Sequence, residues 1–328
     1  LPEYQLPGNQ PAVICLMGPT AMGKSALAVY LAQQLGCEII SVDSMLVYRG
    51  MDIGTAKPTA EQQGGIPHHL IDIRDPAQFY STGQFRQHAL ELIETILARG
   101  RIPLLVGGTM LYFNSLFGGL ADLPAADPKV REELDQQAAK VGWQAMHAEL
   151  AAVDSEAAQR IHPNDPQRIQ RALEVYRISG QPLSSLMKQH ARHQPVYDFI
   201  KLAIVPESRS RLHETIRARF TAMLEQGLIQ EVSVLYERSD LNTRLPSMRA
   251  VGYRQVWAYL DQQLDYSSMI EAAVVATRQL AKRQLTWLRS AEINQRYIVG
   301  QSLPHSQILT ELSGFLNDNN QEYFLNPK

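Results

Sequence analysis

Short apolar runs alternate with helix-period stretches along the first third of this chain. Residues 13–17 form one run, Glu38-Ile39-Ile40-Ser41-Val42-Asp43 a second and Ile102-Pro103-Leu104-Leu105-Val106 a third, with residues 68–73 as a shorter strand candidate. Strands covered on both faces read as continuous hydrophobicity, which predicts a buried parallel sheet. Between the runs, Ala26, Leu27, Val29, Tyr30, Leu31 and Leu35 recur at helical spacing, as do Phe85, Ala89, Leu92, Ile93, Ile96 and Leu97 until Gly100. Residues 44–58 hold too many glycines for a long helix and read as a loop with functional content. After Gly118-Gly119 the pattern changes, and residues 121–194 show short helical periods and no strand. Asp165-Pro166 caps and opens one of these helices, which ends near Gly180. The sheet resumes at residues 199–205, followed by a helix with Leu212, Ile216, Phe220, Met223 and Leu224 on one face, capped by Gly227. A last helix is predicted over 276–289, with Val274, Ala281, Leu285 and Leu288 as its apolar seam. The expected organisation is an α/β core of residues 1–120 and 196–328 with an all-helical insertion over 121–195.

Composition narrows the class without choosing the chemistry. With 328 residues, 45% hydrophobic and 20% charged, the chain is an ordinary soluble globular type with ample core. No apolar run approaches the roughly 18 residues of a membrane span, and residues 1–10 lack a basic segment followed by an apolar one, so neither membrane nor secretion is expected. Cys15 and Cys37 make no metal or disulfide pattern and read as small core residues, and a cytoplasmic enzyme is the default. Adjacent His68 and His69 point to opposite faces of a strand and are expected to be structural. The net charge of −2 argues against a nucleic-acid partner only as a sum, because charge is unevenly placed.

The chemistry begins at Gly18-Pro19-Thr20-Ala21-Met22-Gly23-Lys24-Ser25, set between the first strand and the first helix. That is the context of a phosphate-binding P-loop: inward backbone amides, a helix N-terminus, the Lys24 charge and a Ser25 hydroxyl placed for Mg²⁺. The predicted fold is therefore a P-loop NTPase-like parallel sheet flanked by helices. Asp43, at the end of the second strand, should face the same crevice, as metal ligand, base or helix cap. The third long run ends in Gly107-Gly108-Thr109, where a motor or switch NTPase would place an acid for its metal. The glycines suit close approach of a phosphate or substrate backbone, and the whole pattern favours group transfer. Arg278, Lys282 and Arg289 lie near one helix face. With Arg168, Arg171, Arg249 and Arg254, and with Tyr253 and Trp287 for stacking, they suggest an RNA-tracking surface, against the plainer reading of solvated faces.

Several segments resemble the bacterial tRNA dimethylallyltransferases in order along the chain. They are the loop just quoted, Ser41-Val42-Asp43-Ser44, Gly50-Met51-Asp52-Ile53-Gly54-Thr55-Ala56-Lys57-Pro58, Gly107-Gly108-Thr109-Met110-Leu111-Tyr112 and Val251-Gly252-Tyr253-Arg254-Gln255. Ala276-Thr277-Arg278-Gln279-Leu280-Ala281-Lys282-Arg283-Gln284 and Thr286-Trp287-Leu288-Arg289 complete the set. The likeness runs from about residue 12 to 289 and leaves about the last 35 residues unmatched. Met22 and Ser25 depart from the smaller residue and the Thr expected there, without removing a needed group.

The resemblance implies transfer of a dimethylallyl group from dimethylallyl diphosphate to N6 of adenosine 37, beside the anticodon of a tRNA, with Mg²⁺. It assigns Asp43 as general base, with Thr109 beside the adenine or the diphosphate. Residues 18–25 would hold the diphosphate, with Arg219 as a second cation or simply a surface residue. The anticodon stem-loop would be held by Asp43, Ser44, Met45, Leu46 and Thr109 on the reacting side, and by Arg131, Gln167, Arg168, Ile169, Gln170 and Arg171 in the insertion. Arg249, Ala250, Val251, Gly252, Tyr253 and Arg254, then Arg278, Lys282, Arg283, Gln284, Trp287 and Arg289, would complete that surface. A monomer is expected. The rivals are a P-loop kinase or adenylate isopentenyltransferase acting on free nucleotide, and a non-catalytic nucleotide-switched RNA-binding module.

Overall fold

A computed structural model describes residues 11–118, 123–190, 197–300 and 302–319, so the reading of residues 1–10 lies outside the described residues. The first half of the core runs β1 (Ala12–Met17), α1 (Lys24–Leu35), β2 (Cys37–Val42), α2 (Ala60–Gln63), β3 (His68–His69), α3 (Thr82–Ala98), β4 (Ile102–Gly107) and α4 (Met110–Phe117). Four helices follow, α5 (Pro128–Val153), α6 (Ser155–Arg160), α7 (Pro166–Ser179) and α8 (Leu183–His190). The chain then returns through β5 (Asp198–Pro206), α9 (Arg209–Glu225), α10 (Leu228–Tyr236), α11 (Tyr253–Leu260), α12 (Tyr266–Ser290), β6 (Gln295–Val299) and α13 (His305–Asn319).

All six strands are parallel, in the order β3-β2-β4-β1-β5-β6. Strands β1, β2 and β4, which cover the three runs read as buried strands apart from Asp43, are buried at every position, because helices cover both sheet faces. The strand expected over 68–73 is only two residues long: Leu70 and Asp72 take positive φ of 62° and 56°, which ends the extended backbone. His69 Nε2 lies 2.8 Å from the Glu38 carboxylate and His68 Nδ1 lies 2.8 Å from the Ile66 carbonyl, so both rings serve the sheet edge. The capping box at α3, with Gln84 N donating to Ser81 Oγ and Ser81 N to the Gln84 side chain, fixes where that helix starts.

Register decides what meets at the carboxyl ends of the strands. Met17 pairs with Gly107 and Ala203, and Gly107 pairs with Val42, so β2, β4 and β1 finish in one row, while β5 runs on to Pro206. A Cβ on Gly107 would press well under 3.0 Å from the Val42 backbone, so glycine is required there by strand packing. At Gly107 this replaces the expected substrate approach, whereas Gly108 lines the cavity described below.

The chain divides into two compact units, Leu1–Phe113 with Val196–Lys328, and Asn114–Pro195. The division falls inside α4, ahead of the composition change at Gly118-Gly119. The second unit has its own core, in which Leu134, Met146 and Leu150 of α5 pack with Ile169 and Leu173 of α7.

Two features at the C-terminal side were not legible. Helix α12 begins ten residues before the predicted start, capped by Asp265, which accepts from Ser268 N at 2.7 Å. Beyond the matched segments, β6 extends the sheet and α13 sends Ile308, Leu312 and Leu316 into the cluster around β1 and β4. The unmatched tail is thus partly core. Leu312→Ala is expected to cost about 2–5 kcal/mol of unfolding free energy, measured by chemical denaturation; a loss below ~0.5 kcal/mol would show that α13 is dispensable to the core.

Candidate active site

At the tip of β1 the chain must turn back into α1 within a few residues. A Cβ on Gly18 would sit 2.7 Å from the Ile204 carbonyl oxygen, so glycine lets the loop lie against β5. Gly23 caps α1 at φ 73°, and Ala21 holds φ 64°, an uncommon value for a residue with a side chain that the surrounding loop sustains. Lys24 Nζ donates to the Pro19 carbonyl at 2.6 Å, which folds the ammonium inside the loop. From α9, Arg219 Nη1 donates to Thr20 Oγ1 at 3.3 Å. Burial, then the neighbouring Arg219 charge, pushes the Lys24 ammonium down from 10.5 to about 8, with Asp43 opposing. Burial lowers the Arg219 guanidinium as well, again against the pull of Asp43. Two desolvated cations that repel each other both gain from an anion placed between them.

The acid and the hydroxyl come from the adjoining strand ends. Asp43 Oδ1 accepts from Met45 N at 2.8 Å, which orients the carboxylate, and Thr109 Oγ1 accepts from Ser44 N at 3.1 Å. Thr109 N in turn donates to the Val42 carbonyl at 3.2 Å, so the β4 loop is stitched to the residue preceding Asp43.

These loops, with α9, α12 and the turn before α11, surround a cavity of about 480 Å³. Thr20, Ala21, Asp43, Thr109 and Arg219 supply polar lining, while Ile216, Phe220, Met223 and Leu280 supply an apolar wall. On α9 the residues Ile216, Arg219, Phe220 and Met223 follow at three and four apart, so one helix face offers both a cation and hydrocarbon. Such a lining suits a ligand with an anionic head and a short apolar tail.

A second wall is pinned by a residue the sequence reading passed over. Glu231 of α10 accepts the backbone N–H of Asp52 at 2.9 Å, Ile53 at 2.7 Å and Gly54 at 3.2 Å, and also the Tyr253 hydroxyl. Lys57 ties the same loop down, donating to the Tyr48 carbonyl at 2.8 Å and Asp52 Oδ1 at 2.6 Å and pairing with Asp72. Gly54 and Thr55 thereby join Ala250, Val251 and Gly252 in the cavity lining. The glycine-rich composition of 44–58 marked a functional loop, but nothing near Glu231 in sequence announced its partner.

Of the residues expected at the site, the cavity brings together Thr20, Ala21, Asp43, Ser44, Met45, Thr109, Arg219, Ala250, Val251, Gly252, Arg283, Gln284 and Trp287. Gly18, Pro19, Met22, Gly23 and Lys24 frame the loop behind that lining, and Ser25 is exposed on the first turn of α1. Leu46 is used through its carbonyl, which accepts from Asp72 N at 3.1 Å. Arg278, Lys282 and Arg289 line a separate groove with Arg209 and His213, and there Arg278 Nε is buried without a hydrogen-bond partner among the described residues. Arg249 and Arg254 are exposed.

Two expectations for RNA contact, Tyr253 and Ile169, need correction, and Gln284, Arg131 and Arg171 have partners within the protein. Tyr253 is 0% exposed and packs against Gly54, so its ring cannot stack on a base. Gln284 is 8% exposed and bridges two loops, its Oε1 accepting from Thr20 N at 3.0 Å and its Nε2 donating to the Gly108 carbonyl at 2.9 Å. Ile169 is 0% exposed in the helical core of the insertion, where the 3.6-residue period demands an apolar side chain. Arg131 and Arg171 both bind the fully buried Glu174, at 2.8 and 2.6 Å, and the Asp127 amide adds a third donor at 3.0 Å. Burial would raise the Glu174 carboxyl, but these donors outweigh it and hold the group below its usual value. The two arginines share one carboxylate and keep 33% and 30% of their side chains exposed, while Gln167 and Arg168 on α7 are exposed and Gln170 donates to Asp135 at 2.6 Å.

A parallel sheet with a glycine-rich loop between β1 and α1, and an acid at the tip of β2 on the far side of β4, defines the P-loop NTPase-like class of phosphate-binding proteins. Within that class the chain belongs to the IPP transferase family, whose model matches residues 46–291, and an isopentenyl transferase model matches residues 11–77. It is 57% identical over 279 residues to a tRNA dimethylallyltransferase of Methylococcus capsulatus, covering 85% of this chain and 89% of the relative. The crystal structure of a tRNA isopentenylpyrophosphate transferase from Bacillus halodurans is similar with TM-score 0.70 and 37% identity, over 95% of this chain and 99% of that one. A eukaryotic dimethylallyltransferase acting on tRNA matches with TM-score 0.77 and 28% identity, over 94% of this chain and 78% of that one.

The Lys24 environment gives a pH dependence of definite sign. Above about 8 the free protein has lost the Lys24 proton, so anion binding must take one up, and affinity falls as pH rises. Pyrophosphate titrations from pH 7 to 9.5 are expected to show this added decline in the wild type, and Lys24→Met should lack it while binding more weakly throughout. Equal pH slopes in the two proteins would exclude Lys24 as the titrating group.

Proposed function

We propose that this chain transfers a dimethylallyl group from dimethylallyl diphosphate to N6 of adenosine 37 in tRNA, releasing diphosphate, with Asp43 as general base. The observation that carries the reading is one cavity lined by Thr20, Ala21, Asp43, Thr109 and Arg219 together with an apolar wall. Family membership supports the same chemistry.

The adenine amine is a poor nucleophile because its lone pair is delocalised into the ring. As N6 bonds to the allylic carbon, the carbon–oxygen bond to diphosphate breaks and the N6 proton passes to the Asp43 carboxylate. The hydrogen bond from Met45 N holds Asp43 Oδ1 and leaves Oδ2 to take that proton. Charge that gathers on the departing diphosphate meets Lys24, Arg219 and the loop amides. Ile216, Phe220 and Met223 hold the prenyl tail and keep water from the positive carbon.

Ser25 is the residue that would hold Mg²⁺, which when bound supplies further positive charge to the diphosphate. Among the described residues no group of three His, Cys, Asp or Glu side chains could hold a metal. A hard cation carried by phosphate oxygens needs only one or two protein oxygens, and an exposed hydroxyl on the first turn of α1 fits. The reading takes the catalyst to be a monomer. The reading places it in the cytoplasm; among the described residues no helix is long and apolar enough to cross a membrane.

The anticodon stem-loop is assigned to the groove of Arg209, Arg278, Lys282 and Arg289, to exposed Arg249 and Arg254, and to Gln167 and Arg168 of the insertion. Arg283 and Trp287, which line the cavity, are assigned to the flipped adenosine and its neighbours. Extruding the base costs a few kcal/mol, which backbone contacts must offset.

Mass spectrometry of tRNA nucleosides after incubation with dimethylallyl diphosphate and Mg²⁺ tests the reaction, with AMP as the competing acceptor. Prenylation of AMP in place of tRNA would overturn the assignment. Asp43→Asn keeps an acceptor for Met45 N but no basic oxygen, and turnover is expected to fall by about 10²–10⁴ with stem-loop affinity retained; wild-type turnover would remove Asp43 as the base. Removing charge at Lys282 and Arg289 should flatten the salt dependence of tRNA binding by about 0.7–0.9 log units per lost phosphate contact. An unchanged slope would return that groove to a solvated face.

A further inference from the structure

The reaction needs the donor's diphosphate and the acceptor's amine held at a fixed separation, yet they are held by loops from different strands. The loop after β1 carries Thr20, whose hydroxyl accepts from Arg219 at 3.3 Å. The loop after β4 carries Gly108 and Thr109, and Thr109 bonds both to Ser44 N and to the Val42 carbonyl on either side of Asp43. Between the loops lies one side chain from the middle of α12. Gln284 accepts from Thr20 N at 3.0 Å through Oε1 and donates to the Gly108 carbonyl at 2.9 Å through Nε2.

We infer that Gln284 is a positioning residue, which sets the spacing between the loop that grips the leaving diphosphate and the loop that places Thr109 beside Asp43. The inference rests on the function proposed above. A carboxamide accepts from an N–H through one atom and donates to a carbonyl through another, whereas ionised Glu, Lys or Met cannot make both bonds. The backbone has been shaped around it: a Cβ on Gly108 would press well under 3.0 Å from Gln284 Nε2. Gly108 therefore has a protein reason for lacking a side chain, and its space is reserved for the carboxamide. Gln284 is 8% exposed, so water cannot readily take over either bond if the side chain is shortened or made apolar. Its neighbours Thr277, Leu280, Arg283 and Trp287 line the same cavity, which places the strut within the wall of the site.

The effect should appear in the chemical step. Near-attack geometry tolerates little error, and a displacement of about 1 Å costs on the order of 10² in rate. Loops that lose their common strut still offer their own amides and cations, so binding of each substrate should survive.

The test uses the full chain and compares Gln284→Met, Gly108→Ala and the double variant with wild type. Turnover, pyrophosphate affinity, anticodon stem-loop affinity and thermal midpoint are read for each. Gln284→Met is expected to lower kcat by about 10–100-fold, with both dissociation constants within about threefold and the midpoint within a few degrees. Gly108→Ala, whose methyl displaces the carboxamide, should lose turnover similarly. The double variant should be no worse than the poorer single one, because both remove the same strut. Turnover within threefold of wild type in Gln284→Met would overturn the inference. So would a fall that tracks lost folding or lost binding, or losses that multiply in the double variant. Failure of the underlying function is separable, since wild type itself would then leave tRNA unmodified.

Discussion

One row of the sheet sets where everything else can be. Val42, Gly107 and Met17 stand side by side at the ends of three parallel strands, beside Ala203 of β5, and the next residues of those three are Asp43, Gly108 and Gly18. Neighbouring strands are about 4.8 Å apart, so an acid and a phosphate loop two strands away are separated by roughly 10 Å before their loops curl inward. That distance can be bridged by a diphosphate, a five-carbon chain and an amine in line. The row depends on close backbone contact, which explains glycine at 107 against Val42 and at 18 against Ile204.

The row collects charge that the surroundings do not favour. Lys24 and Arg219 are both lowered by burial, and each keeps its proton partly through Asp43. An anionic ligand relieves this strain, and its departure restores it. The same carboxylate that moderates the cations is the one placed to accept a proton, so binding and chemistry share their electrostatics. Arg219 reaches this centre because α9 turns toward it the face that also carries Ile216, Phe220 and Met223. Donor head and donor tail are therefore read by a single helix.

Around that centre, polar side chains from distant parts of the chain act as fasteners. Glu231 gathers three consecutive backbone amides and a buried tyrosine hydroxyl, Lys57 closes the other side of the same loop, and Gln284 joins the tips of β1 and β4. In the insertion, Glu174 holds Arg131, Arg171 and the N-cap residue of α5. Each is a buried or half-buried group whose hydrogen-bonding capacity is met by protein, and loss of one would leave several partners unsatisfied.

The chain by itself determined the sheet, the phosphate loop and the strand-end acid, because continuous hydrophobic runs, glycine spacing and helix period are local signals. It also marked the helical insertion, through the absence of any strand pattern, and the ordered motifs carried the family. What it left open was the direction in which each polar side chain points. Arg131, Arg171, Tyr253 and Gln284 have the composition of an RNA surface, but packing buries Tyr253 and Gln284 against Glu231, Thr20 and Gly108, and both arginines donate to Glu174. The same holds for the C-terminal tail, whose β6 and α13 become core only because the edge of β5 and the face of α1 need covering. Local sequence fixes backbone conformation over a few residues, whereas the partner of a charged or polar group is set by packing, from three positions away for Arg171 and Glu174 to 264 for Gln284 and Thr20. For this protein the fold was written locally, and the division between gripping a substrate and holding the site together was made by the tertiary structure.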